Sequence, residues 1–267
     1  MVDFDQSVLS PARHLENVAI DVALIAAAFV AESVGKASAA ATKSTPTDVV
    51  TTTDIASERL IRAELLIRCP GSTIVGEELD DEVGHNEIGW IIDPIDGTVN
   101  FLYDLPVVSV SIAATIDGEV VAGAVADIIR GEVFSATNGE GARRDGLAIA
   151  ASTTTALDQS LVGTGFAYDG ERRGRQAQTL LDVLPACRDI RCMGSAALNL
   201  CWVGCGRLDA YFENDIKLYD YAAGALIAAE GGAMVQLPDL AMAAAAANDL
   251  TLASTPAIFD QLSALVS

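Results

Sequence analysis

The chain has 267 residues, 51% of them hydrophobic, with 37 acidic against 16 basic side chains and a formal net charge of −21. That apolar fraction fits one large globular domain or two closely joined lobes and excludes a disordered chain. The charge argues against direct nucleic-acid binding, which needs a basic stripe, and only two histidines leave little material for serine–histidine or phosphohistidine chemistry.

The opening MVDFDQ is acidic and lacks the basic start of a signal peptide, so a cytoplasmic location is expected. Residues 11–37 place Val18, Val22, Ile25 and Phe29 at helical spacing and predict an amphipathic helix. Its apolar stretch Val22–Ala31 is about half the length of a membrane span of roughly 20 residues. KSTPTDVVTTTD (43–54) reads as a polar connection and IASERLIRAELLIRC (55–69) as a second helix, ended by Pro70 and Gly71. STIVGEE (72–78) and GWIID (89–93) read as strands that both finish in acids, and GTVNFLYD (97–104) as a short helix. Between 107 and 150, β-branched runs separated by IDGE, RGEV and NGEG predict a meander. ASTTTALDQ (151–159) has loop composition and sets a lobe boundary near 151, giving lobes 1–150 and 151–267. The second lobe alternates strands SLVGTG, RDIRCMG, LDAYF, AMVQL and LTLAS with helices near 172–184, over SAALNLCWVGCG, over LYDYAAGALIAAEGG and near 256–266. Cys201 and Cys205 read as buried free thiols on one helix face, with no histidine near them in sequence to complete a zinc site. AMAAAAAND (241–249) reads as a surface connection.

Acids stand at the edges of these elements: Asp54, Glu77 and Glu78, Asp93 and Asp96, and Asp220. In WIIDPIDGTVNF two aspartates lie three apart behind an apolar run, where a carboxylate is costly unless something cationic meets it. An oxygen-only set suits Mg²⁺ better than zinc or copper. Pro94 keeps Asp93 extended, and the Ile95 carbonyl offers a further oxygen. The Gly97 and Thr98 amides at a helix start make an anion site. A bound divalent cation would also remove the objection that an acidic chain repels a phosphorylated substrate. The plain alternative is that each acid is a solvated cap or turn residue, a common role for DxxD, GEE and TTTD alike.

GEE (76–78), WIIDPIDGTVNF (90–101) and LYDYAAGALIAAEGG (218–232), with KSTPTDVVTTTD ahead of them, resemble the signature segments of the inositol monophosphatases. These belong to the wider Mg²⁺-dependent, lithium-sensitive sugar phosphatase superfamily, and the resemblance runs from about residue 15 to the C-terminus. It implies a mixed α/β (α+β) fold, a two-lobed layered αβαβα sandwich of the inositol monophosphatase / fructose-1,6-bisphosphatase type. In that fold lobe 1–150 carries most metal ligands, and lobe 151–267 carries Asp220 and the substrate contacts. The implied reaction is Mg²⁺-dependent hydrolysis of myo-inositol 1-phosphate to myo-inositol and phosphate, with two to three ions. Glu77, Asp93 and the Ile95 carbonyl would hold one ion, and Asp93, Asp96 and Asp220 a second. Glu77 would also assist a third through water and so joins the catalytic set. Asp54 and Thr98 would orient and deprotonate the attacking water, and the Gly97 and Thr98 amides would bind phosphate oxygens. Asp96, Gly194, Ser195, Ala196 and Glu213 fall at substrate-contact positions.

A homodimer acting on a small phosphorylated polyol is implied, with no direct nucleic-acid contact and no membrane. Histidinol phosphate, fructose 1,6-bisphosphate and 3′-phosphoadenosine 5′-phosphate stay open as substrates. A regulatory partnership with the transcription machinery also stays open, although the complete acid set favours catalysis. Tyr219 stands where most members of the family have tryptophan. Lys217 reads as a solvent-facing cation, and Lys43 as either a partner of the acids or a loop cap.

Overall fold

The computed structural model describes residues 9–36, 39–42, 49–238 and 249–267. Lys43 and the alanine tract at 243–247 lie outside the described residues. Helix α1, Pro11–Ala31, starts where the Ser10 hydroxyl accepts from Arg13 N and proline occupies the first turn, both ordinary helix-start chemistry. It stops short of the predicted residue 37. On length and composition alone it could cross a bilayer, but Leu15, Val18, Ala19, Val22, Ala23, Ala26 and Val30 form a buried stripe at helical spacing. That stripe is covered by a sheet. Strands β1 (Ala39–Thr42) and β2 (Val49–Thr51) pair antiparallel. This corrects the polar connection expected at the second of them, because Val49, Val50 and Thr51 have the β-branched side chains that favour strands. Helix α2, Thr52–Arg68, follows at once.

The seven-stranded sheet runs in the order β3 (Thr73–Gly76), β4 (Ile88–Asp96), β5 (Ser109–Ile116), β6 (Glu119–Asp127), β7 (Glu132–Thr137), β8 (Ala142–Arg144) and β9 (Leu147–Ala148). Only β3 and β4 are parallel; the rest is the expected meander. Asp117–Gly118 and Asp145–Gly146 both have positive φ at each residue, the two-residue turn for which Asp-Gly is suited. Helix α3, Thr98–Leu102, is a single turn between β4 and β5.

The five-stranded sheet runs β11 (Asp189–Cys192), β10 (Leu161–Thr164), β12 (Ala210–Asn214), β14 (Leu250–Ser254) and β13 (Met234–Gln236). Its helices are α4 (Gly170–Val183), α5 (Ala196–Gly204), α6 (Leu218–Glu230) and α7 (Phe259–Val266).

The period of two in each strand sorts the layers. Val110, Ile112 and Ala114 of β5 join α1 and α2 on one face, while Ala113 joins α5 and α6 on the other. In β12, Ala210 and Phe212 face α7 and the end of α4, while Tyr211 faces α5 and α6. The result is a layered αβαβα sandwich in which α5 and α6 are the shared middle layer.

That middle layer needs small residues. A Cβ on Gly224 would stand 2.9 Å from Leu200 Cβ and 3.0 Å from the Ala197 carbonyl oxygen. Gly224→Val is therefore expected to lower the unfolding free energy by about 1–3 kcal/mol through overpacking. A urea titration checks this, and an unchanged midpoint would mean that α5 and α6 do not touch so closely.

Candidate active site

The DPID stretch is a bulge at the end of a buried strand. The ladder between β4 and β5 pairs Asp93 with Ser111 and then Asp96 with Ser109, so one extra residue is carried on β4. Pro94 has no N–H for the ladder. Inside the bulge Asp93 Oδ1 accepts from Ile95 N at 3.0 Å, and Ser57 Oγ donates to the Pro94 carbonyl at 3.3 Å. Gly97 then turns with φ 98°, and a Cβ there would stand 2.8 Å from the Val107 carbonyl oxygen. The helix behind it has five residues, so its dipole is small and an anion placed here would rest on individual amides.

Asp54 is held by its own helix. It is the third residue of α2, and its Oδ2 accepts from Thr51 N at 3.0 Å while the Thr51 hydroxyl accepts from Asp54 N, a reciprocal capping box. Its other oxygen lies 3.0 Å from Thr98 Oγ1, which also stands 3.0 Å from the Ile95 carbonyl oxygen.

Asp96 reaches across to the other sheet's helices. Its Oδ2 accepts from Ser195 Oγ at 2.5 Å and Ala197 N at 2.8 Å, and its Oδ1 from Ala196 N at 3.2 Å. Burial pushes its carboxyl up to about 6, those three hydrogen bonds oppose the shift, and the Glu77 charge adds to it. Asp220, third in α6, accepts from Lys217 N at that helix start. Burial raises its carboxyl well above the ordinary range, and the charges of Glu77, Asp96 and Glu213 raise it further.

A cleft of about 720 Å³ collects these groups. Glu77, Asp93, Ile95, Asp96, Gly97, Thr98, Gly194, Ala196, Glu213 and Asp220 all line it. Two predicted site residues do not. Asp54 is fully buried behind Thr98, and Ser195, 1% exposed, turns its hydroxyl onto Asp96 and caps α5 through Leu198 N. Lys217 is exposed and at the rim, and the Tyr219 ring lines the wall. Cys201 is buried as expected, whereas Cys205 is half-buried; both are free thiols.

The donors fit a divalent cation. They are all oxygen, and their charges push against one another in a part-buried space, a repulsion that a hard cation relieves. Among the described residues no three His, Cys, Asp or Glu side chains form a finished cage. Asp96 is turned onto α5 and Asp220 onto its own helix start.

Sequence reasoning missed Asn100, whose Nδ2 donates to the Val107 carbonyl at 2.9 Å and the Met193 carbonyl at 2.7 Å. It ties the Gly97 turn to Gly194, and nothing local in the sequence signals a partner so far along the chain. It also missed Arg172 and Arg173, exposed on α4 at the cleft's outer wall, because the strongly acidic total hides a local basic pair.

Glu213 is pushed up to about 7, chiefly by burial, with the Asp96 charge adding and the Tyr211 hydroxyl, donating at 2.6 Å, opposing. The folded protein therefore keeps this proton up to about pH 7 while the unfolded chain releases it near 4.5. The folded state binds more protons in that window, so this group's contribution to stability falls as pH rises through it. Metal-free protein is expected to melt lower at about pH 8 than at about pH 5, and Glu213→Gln to flatten that difference. Equal slopes for the two proteins in thermal melts would sink the assignment.

The family model for the inositol monophosphatase family matches residues 12–266. The inositol-1-monophosphatase of Mycobacterium leprae (strain TN) is 46% identical over 269 residues, covering 94% of this chain and 92% of its own. The protein named Nus factor SuhB of Salmonella typhimurium (strain 14028s / SGSC 2262) is 38% identical over 193 residues, 70% of this chain and 71% of its own. The solved structure of Mycobacterium tuberculosis SuhB superposes with a TM-score of 0.78 at 41% identity, covering 94% of this chain and 95% of that one. The match spans nearly the whole chain and both sheets, and the chain belongs to the inositol monophosphatase family.

Proposed function

We propose that the chain is a Mg²⁺-dependent phosphomonoesterase that hydrolyses myo-inositol 1-phosphate to myo-inositol and phosphate. The observation that carries this reading is the Thr98–Asp54 pair, 3.0 Å apart, at the edge of a cleft lined by Glu77, Asp93, Asp96 and Asp220. The name of the Mycobacterium leprae relative, inositol-1-monophosphatase, supports the choice of ester.

Glu77, Asp93, the Ile95 carbonyl, Asp96 and Asp220 would hold two to three divalent ions. When bound, such ions neutralise phosphate charge, lower the pKa of the attacking water and stabilise the leaving oxygen. The remaining work belongs to the chain. Thr98 Oγ1, giving its proton toward Asp54 Oδ1, presents a lone pair that takes a proton from water, a general base built without histidine. Asp54 is held for this by the capping box, so its carboxylate is already oriented. The Gly97 and Thr98 amides receive phosphate oxygens, and Gly97 keeps the backbone close because no Cβ fits there. Gly194, Ala196 and Glu213 face the rest of the substrate, with the Glu213 carboxyl placed to hydrogen-bond ring hydroxyls. The Ser195 side chain acts on Asp96 instead. Lobe 1–150 supplies most metal ligands, lobe 151–267 supplies Asp220 and the polyol contacts, and a cytoplasmic homodimer is the assembly we expect.

A second reading comes from the name of the Salmonella relative, Nus factor SuhB. A chain of net charge −21 would meet a basic protein surface rather than nucleic acid.

Phosphate release should be measured with Mg²⁺ on inositol 1-phosphate, histidinol phosphate, fructose 1,6-bisphosphate and 3′-phosphoadenosine 5′-phosphate. The inositol ester is expected to turn over fastest, and preference for another ester overturns the substrate while keeping the metal chemistry. No turnover by folded protein transfers the weight to the second reading. Asp93→Asn is expected to lower kcat at least about 100-fold while the protein stays folded. Thr98→Ala should cost about 10²–10⁴-fold in kcat and leave Mg²⁺ binding nearly intact; a variant with wild-type kcat would remove Thr98 from the proton path.

A further inference from the structure

The segment that carries Glu77 is held from beneath by a charge pair outside the cleft. Glu58 and Arg62 stand one turn apart on α2 and are 0% and 8% exposed. Arg62 Nη2 lies 2.7 Å and Nε 2.9 Å from Glu58 Oε1. Above them passes the backbone just after β3. Glu58 Oε2 accepts from Glu78 N at 2.7 Å, Glu58 Oε1 accepts from Leu79 N at 3.2 Å, and Arg62 Nη2 donates to the Leu79 carbonyl at 3.2 Å. The approach is so close that a Cβ on Gly76 would stand 2.3 Å from Glu58 Oε1.

A buried ion pair is costly unless its remaining lone pairs and protons are satisfied. Here the backbone of residues 78 and 79 satisfies them, and in return it is fixed by three hydrogen bonds immediately after Glu77. The same helix carries Asp54 at its start, so one rigid element sets the places of the base and of a metal ligand. We propose that Glu58 and Arg62 are positioning residues for Glu77, and that the metal affinity of the cleft depends on this pair although neither side chain lines it. The inference rests on the reading of Glu77 as a metal ligand.

In Glu58→Gln one acceptor oxygen becomes an amide nitrogen, which cannot accept from Glu78 N or Leu79 N. Free Mn²⁺ can be followed by its paramagnetic resonance during titration of substrate-free wild type, Glu58→Gln and Glu77→Gln. Hydrogen exchange of the amides at 77–79 is recorded on the same samples. Glu58→Gln is expected to weaken Mn²⁺ binding about 10–100-fold and to speed exchange at 78 and 79. Its kcat at saturating Mg²⁺ should stay within about threefold of wild type, because only ground-state metal binding is lost. Glu77→Gln should weaken Mn²⁺ binding at least as much. Folded Glu58→Gln with wild-type Mn²⁺ affinity overturns the positioning role alone. Wild-type affinity in Glu77→Gln overturns the reading beneath it and the inference together. If Glu58→Gln does not fold, Arg62→Lys keeps the charge but cannot span Glu58 and the Leu79 carbonyl, and it is judged by the same two criteria.

Discussion

Helix starts make the cleft tolerable. Asp54 is the third residue of α2, Asp220 the third of α6, and Asp96 accepts the first amides of α5. Each carboxylate thus sits on N–H groups that the helix itself leaves unpaired, at the positive end of a peptide dipole. Three helices aim these ends at one place. Without that arrangement a cluster of buried and half-buried acids would have to protonate or move apart, and Asp96 and Asp220 are already shifted upward by burial and by the charge of Glu77.

The strand bulge complements this. A regular β4 would send alternate side chains to opposite faces of the sheet. The extra residue at Pro94 breaks that alternation where both aspartates are needed on the cleft side. Asp96 then fixes the start of α5, Asn100 fixes the turn before it at Met193, and α5 with α6 forms the layer that both sheets share. Chemistry and core packing meet in the same few residues. A change at Asp96 would therefore disturb folding and the proposed metal site together, whereas Thr98 or Asp93 tests the proposed chemistry more cleanly.

Much of this was legible in the sequence. The meander announced itself through the turn residues of IDGE, RGEV and NGEG. The acids were visible because carboxylates at the ends of apolar runs demand a cause. What stayed hidden depended on distance or on weak local signals. The strand at 49–51 was masked by the polar company of its neighbours. The inward turn of Ser195 is set by Asp96, far away in the chain, and no local pattern encodes it. Asn100 and the buried Glu58–Arg62 pair look like ordinary surface residues on helices until the backbone they hold is brought against them. The family resemblance supplied the order of layers, which periodicity alone does not deliver.

Helix α4 stands apart from all of this. It buries only Val183, while Arg172 and Arg173 near its start form the outer wall of the cleft. The catalytic floor is anchored in three packed layers, whereas the opposing wall packs only through Val183 and the half-buried Leu180 at its far end. Substitutions on the exposed face of α4 can therefore accumulate with little effect on folding or on the acids. Selectivity among phosphate esters would then have a route to drift that leaves the hydrolytic machinery untouched.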